Sequence, residues 1–174
     1  APLTAAVGKL QDALAFVDTE TMSQLREHGG STLLYDAVIQ ASNDILAKRT
    51  GRKALVVLTD GLDFNSTYSL DEAVEAAQRS ETLVYAILYT GYAGSGRRVL
   101  ERLASDTGGT FFEVTKKRTL DQIFAVLQEE LRTQYSIGYV SDKPVAFSNF
   151  RKIDLTARRG GLRVQSRKQY WARP

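Results

Sequence analysis

The chain has 174 residues, a formal net charge of +3 and no cysteine, which is length enough for one sizeable core or a domain with an appendage. The lack of thiols excludes a disulfide framework, a thiolate metal centre and a cysteine nucleophile, and no apolar run is long enough to span a membrane. The charge is uneven: residues 143–174 hold nine of the 23 Lys and Arg but one of the 20 Asp and Glu, setting a basic tail against an acidic body.

In chain order, Leu3, Val7, Leu10, Leu14 and Val17 recur at helical spacing, with Thr4 placed as a cap. A polar loop follows and ends in His28-Gly29-Gly30. Ser31 and Thr32 precede a second helical pattern of Leu34, Ala37, Val38, Ala41, Ile45 and Leu46, which should stop near Thr50-Gly51. Ala54–Leu58 is a short unbroken apolar run, expected to be a strand buried on both faces. Ser69 and Glu72 form a capping box that opens the next helix. A second buried strand is expected over 83–89, then a glycine-rich loop over 90–96. Val99, Leu100, Leu103 and Ala104 mark a helix that stops at Gly108-Gly109, and 110–114 reads as a short strand. Thr119 and Gln122 form another capping box, opening a helix with Leu120, Ile123, Phe124, Leu127 and Leu131 inward.

Strict alternation of strands and helices predicts an α/β fold with right-handed crossovers and a parallel sheet. From Gln134 the pattern changes. Tyr135, Ile137 and Tyr139 alternate with smaller residues, and residues 150–157 and 162–166 alternate about a turn at Arg159-Gly160-Gly161. The expected division is an α/β domain over 1–133 and an antiparallel β extension over 134–174, packed on the same domain.

Asp60 is the first candidate for function. It stands where a buried strand emerges, next to Gly61, and open α/β sheets bind ligands outside the carboxyl ends of their strands. A turn-forming role for this carboxylate is the competing account. His28, the lone histidine, has no nearby acid and no nucleophile motif, so a Ser-His-Asp site has little support. Gly91, Gly94 and Gly96 lack the Lys-Ser/Thr that would finish a phosphate loop. The Asp60–Asp63 spacing fits an aspartyl-phosphate enzyme poorly. Basic residues alternating with apolar ones in the tail read as the solvated face of a hairpin rather than a nucleic-acid surface.

Three stretches together, GGSTLLYDAV at 29–38, ALVVLTDGLD at 54–63 and LASDTGGTFFEV at 103–114, resemble the von Willebrand factor type A domain. The tail, LRTQYSIGYV at 131–140 and FRKIDLTARRGGLRVQSRKQYWA at 150–172, resembles a bacterial subfamily of such domains, abundant in Acidobacteria. The resemblance implies a doubly wound, Rossmann-like parallel sheet with helices on both faces, and a non-enzymatic adhesion or protein-binding module. It implies one divalent ion, usually Mg²⁺, held at the carboxyl ends of the strands, with an acidic side chain of a protein partner completing the coordination. Carried over residue by residue, Thr32 and Asp60 match two of the metal-binding loops, and Ser31, Asp36 and Asp63 stand close enough in sequence for supporting roles. The family's Asp-x-Ser-x-Ser loop has no counterpart; Asp18-Thr-Glu-Thr-Met lacks both serines.

The resemblance also implies an opening strand ahead of these residues, so the chain reads as the later part of a longer protein. The edge beside 54–58 would then be covered by another chain or by that N-terminal segment, or the chain would dimerise. An extracellular or periplasmic location is implied by the subfamily alone. The alternative reading is a structural or assembly subunit with a vestigial metal site, making contacts through the sheet edge and the tail hairpin.

Overall fold

A computed structural model of the chain describes residues 4–17, 32–89, 94–142, 150–162 and 164–171. The chain divides into two units, Ala1–Ser31 and Thr32–Pro174. In the first, helix α1 spans Val7–Ala15. Its N-cap is Ala6, and Thr4 instead accepts the Ala6 amide at 3.1 Å just ahead of the helix. No residue of α1 is buried, so its apolar row remains open along its length.

The second unit begins with α2, Leu34–Gln40, which widens into a π-helical turn over Ala41–Leu46 before β1, Lys53–Thr59. The widening shows in the Ala47 amide, which reaches back five residues to the Ser42 carbonyl. Then come α3 (Leu70–Arg79), β2 (Thr82–Leu88), α4 (Ser95–Thr107), β3 (Phe111–Glu113) and α5 (Leu120–Arg132). Both capping boxes form: Ser69 with Glu72 opens α3, and Thr119 with Gln122 opens α5. The strands make a parallel sheet in the order β1-β2-β3. This is the α/β architecture that the alternation of elements predicts.

Side-chain alternation along the strands builds two cores. Leu55 and Val57 of β1 and Val84, Ala86 and Leu88 of β2 face α2, α3 and α4, meeting Leu34, Val38, Ala77, Leu100 and Leu103. On the second face, Tyr85, Ile87 and Phe112 meet Ile123 and Leu127 of α5. The strand β2 is central and almost wholly buried. Its neighbour β1 is not: Val56 is 40% exposed and Leu58 49%. The expectation of burial on both faces therefore fails for β1. The reason is geometric: β1 is the last strand of the described sheet, and α5 packs against β2 and β3.

The same geometry corrects the inward assignment of Phe124, which is 44% exposed. Ile123 and Leu127 lie at the centre of the helix contact, and one residue on from Ile123 the helix has turned about 100° away. Ile123→Ala should lose about 2–5 kcal/mol of stability and Phe124→Ala less than about 1. Urea denaturation of the two variants checks this.

In the tail, β4 (Phe150–Lys152) and β5 (Gln169–Trp171) pair antiparallel, Phe150 opposite Trp171. The Ile153 amide extends the pairing to the Lys168 carbonyl at 2.7 Å. Residues 134–140 and 164–166 are not strands, although their residues alternate. Ile137, Leu162 and Val164 are exposed, so no apolar face is buried to reward extended pairing there. The Gln165 amide group donates to Thr110 Oγ1 at 2.6 Å, and Ser166 and Arg167 run against Gly108, which ties the hairpin to the end of α4.

Candidate functional site

The rim at the carboxyl ends of the strands is assembled by two loops. The first is the approach to α2, Thr32–Asp36; the second follows β1, Asp60–Tyr68. The Phe64 amide donates to the Thr32 carbonyl at 2.9 Å. Thr32 and the loop that leaves Asp60 therefore meet at the same end of β1.

Asp63 holds the two loops together. Its Oδ1 accepts the Tyr35 amide at 3.1 Å and the Ser66 hydroxyl at 2.6 Å, and its Oδ2 accepts the Ser66 amide at 3.2 Å. Helix α2 has no side-chain cap of its own, its N-cap being Leu33. Asp63 supplies one from another segment, satisfying a first-turn donor that the helix cannot pair itself. Asp36 returns the link: its carboxylate accepts the Thr67 and Tyr68 amides, each at 3.1 Å, while its own amide donates to Ser66 Oγ. These bonds, that to Thr67 first, hold the Asp36 carboxyl below its usual range. Asp36 and Asp63 thus spend their oxygens on protein donors.

Asp60 sits in a tight turn. Its Oδ1 accepts the Leu62 amide at 3.0 Å, and the Gly61 amide donates to Thr59 Oγ1 at 3.2 Å. The turn-forming account of this carboxylate is thereby shown for one of its two oxygens. Gly61 has φ +76°, and a Cβ there would lie 2.4 Å from the carbonyl oxygen of Gly96. The start of α4 thus crosses the end of β1 backbone against backbone, which only glycine at both positions allows. Beside that crossing, Arg97 pairs with Glu113 at the end of β3 and with Glu101 at 2.8 Å, and lies over the Phe111 ring. These pairs hold the guanidinium further in its charged form.

Sequence reasoning gave Glu113 no role, and it weighed Ser66, Gly96 and Arg97 only for motifs they do not complete. The Asp63-x-x-Ser66 spacing was the one local signal, since an Asp accepting from a Ser three residues on is a common loop device. Ser31, His28 and Asp18 lie outside the described residues, as do Gly91 and the 143–149 loop.

The fit to a divalent ion can be read from the donors. Mg²⁺ takes about six oxygens in octahedral geometry, several of them water. With Asp36 and Asp63 engaged, Asp60 Oδ2 and the Thr32 hydroxyl are what this rim can offer. Among the described residues no group of three or more His, Asp or Glu is placed to share an ion. The described donor set does not make up a metal site.

No curated protein matches the chain. A solved structure, titled as an uncharacterized membrane spanning protein from Vibrio fischeri, is 14% identical, with a TM-score of 0.40 over 77% of this chain and 69% of that one. In this chain no described helix is long and apolar enough to cross a membrane. The profile of the von Willebrand factor type A domain matches residues 2–126. Most of the sequence, including the sheet and both loops of the rim, falls inside that match, and the chain belongs to the von Willebrand factor type A domain family.

Proposed function

We propose that the chain is a non-enzymatic protein-binding module whose contact surface is the rim that carries Thr32 and Asp60. The observation that supports this reading is the lacing of the Thr32–Asp36 and Asp63–Tyr68 segments, which sets two loops rigidly at one end of the sheet. A surface whose backbone is fixed in advance loses less entropy when a partner docks. Such domains commonly serve as interaction modules.

The adhesion form of this reading would place a divalent ion between Asp60 and an acidic side chain of the partner. The described donors are too few for that ion. Without it, a carboxylate rim repels an acidic group and attracts a basic one. Binding through these residues alone is therefore metal-independent. A location outside the cytoplasm and membership of the bacterial subfamily remain part of the proposal and rest on the likeness of 131–140 and 150–172 to that group.

Isothermal titration with Mg²⁺ and Mn²⁺ tests the metal-independent form. The expected result is binding no tighter than about 1 mM, unchanged by Asp60→Ala. A micromolar site lost in Asp60→Ala would overturn it in favour of the adhesion form. Mg²⁺-dependent turnover of a phosphate ester that Asp60→Ala abolishes would overturn the non-enzymatic reading itself.

A further inference from the structure

We propose that the cavity at the amino ends of β1 and β2, lined by Arg49, Lys53, Arg79 and Glu81, binds inorganic phosphate as its hydrogenphosphate ion.

The chain enters the two strands side by side, with Lys53 opposite Thr82 in the parallel register. The connections leading in, 47–52 after the π-helical turn and 80–81 after α3, therefore lie next to each other, at the end of the sheet away from the rim. Between them is a cavity of about 360 Å³, with Arg49, Gly51 and Lys53 on one side and Arg79 and Glu81 on the other.

Residues 48–53, Lys-Arg-Thr-Gly-Arg-Lys, hold four cations and no acid. Arg52 turns away and donates to the Leu131 and Gln134 carbonyls. Lys53 Nζ stays on the Arg49 carbonyl at 3.4 Å, which leaves two of its three N–H groups. Arg79 keeps Nε on Glu75 at 2.7 Å. Among the described residues neither the Arg49 guanidinium nor the Glu81 carboxylate has a hydrogen bond or ion pair, although both line one space. The Thr50 and Gly51 amides have no backbone acceptor there either. Gly51 turns through φ +88°, and successive amides in such a turn form an anion-binding concavity.

Helix carboxyl ends oppose an anion unless their carbonyls are occupied. Here Ala76 and Gln78 accept the Ser80 and Glu81 amides, Ala77 accepts the Ser80 hydroxyl at 3.0 Å, and Ser42 and Leu46 accept the Ala47 and Arg49 amides.

The cavity is complementary to a group that accepts from several cations and amides and donates to one carboxylate. Hydrogenphosphate does both, with bare oxygens and one P–OH. Sulfate has no proton to give, and a phosphate monoester loses its own above about pH 6, so each sets bare anionic oxygen against Glu81. Glu81 holds φ +57°, a conformation rare for a residue with a side chain and one that collects at ligand sites. The inference does not depend on the binding role given to the rim.

Titration of the whole isotope-labelled chain with sodium phosphate, at about pH 7.5 in about 0.1 M NaCl without divalent ions, tests this by amide NMR. The Thr50 and Gly51 resonances should shift and saturate with a Kd below about 1 mM. Sodium sulfate and glycerol 3-phosphate should each bind at least about tenfold more weakly. Arg49→Gln should weaken phosphate at least about tenfold, with resonances outside the cavity unmoved, because Arg49 is exposed and holds nothing else in place. Glu81→Gln should tighten sulfate and bring the three anions within about threefold of one another, a reversal of selectivity that a merely structural glutamate would not cause. No saturation by about 20 mM phosphate, or saturation that Arg49→Gln leaves unchanged, overturns the site. Equal binding of sulfate and phosphate by the unaltered chain, or a preference for phosphate that survives Glu81→Gln, overturns the choice of hydrogenphosphate.

Discussion

Gly61→Ala is expected to lose at least about 3 kcal/mol of stability in urea denaturation, the largest effect of any single methyl added to the rim. Two independent costs combine. The residue has φ +76°, where an L side chain costs about 1 kcal/mol. The new Cβ would also lie 2.4, 2.7 and 2.9 Å from three backbone atoms of Gly96. Backbone cannot rotate out of the way as a flexible side chain can, so α4 would have to move off the end of β1. Gly96→Ala should behave alike, since its Cβ would lie 2.3 Å from the Asp60 carbonyl oxygen. Gly51→Ala separates the two costs. Its φ is +88° but nothing lies within 4 Å, so it should lose only about 1 kcal/mol. Equal losses at positions 51 and 61 would mean that the crossing is not tight.

Asp63→Ala should lose about 2–3 kcal/mol, and Asp60→Ala less than about 1. The first removes the acceptor of three bonds and leaves the Tyr35 amide without its cap. The second removes two local turn bonds, a firm one from the Leu62 amide at 3.0 Å and a long one from the Thr59 hydroxyl at 3.5 Å. Asp63→Asn keeps one acceptor oxygen and should fall between them. A pH series adds a check through Asp36. Its carboxyl titrates lower in the folded chain than in the unfolded one, chiefly through the Thr67 amide. The linked stability is present above the unfolded carboxyl range of about 4 and is lost as pH falls through the lower folded value. Asp36→Asn should flatten that part of the curve. If it leaves the acid limb unchanged, the Asp36 bonds do not form in solution.

What could be read from the sequence was what is local. The capping boxes at Ser69 and Thr119 depend on residues three apart, and both form. The apolar run at 54–58 is a strand, and its partner at 83–89 is one residue out of step with the observed Thr82–Leu88. What stayed hidden depends on pairs distant in sequence. Asp36 bonds Thr67 and Tyr68, and Asp63 bonds Tyr35, between two irregular loops that carry no periodic signal. Both acids brace the two loops by these hydrogen bonds. Gly61 and Gly96 read separately as turn residues, and only the fold shows that each is glycine because of the other. Exposure of Val56, Leu58 and Phe124 was equally illegible, because apolar composition does not say which face a neighbouring helix leaves bare. In the tail, alternation without a surface to bury against gave strands only at 150–152 and 169–171.

The account rests on Thr32 and the loop after Asp60 sharing one rim. Amide hydrogen exchange at Phe64 tests this most directly, because its N–H has the Thr32 carbonyl as partner at 2.9 Å while its side chain is exposed. The account predicts exchange slowed at least about a hundredfold relative to an unstructured peptide, with Tyr35 slowed alongside it. Exchange of Phe64 at the unstructured rate would mean that the two loops do not meet, and the proposed binding surface would have no basis.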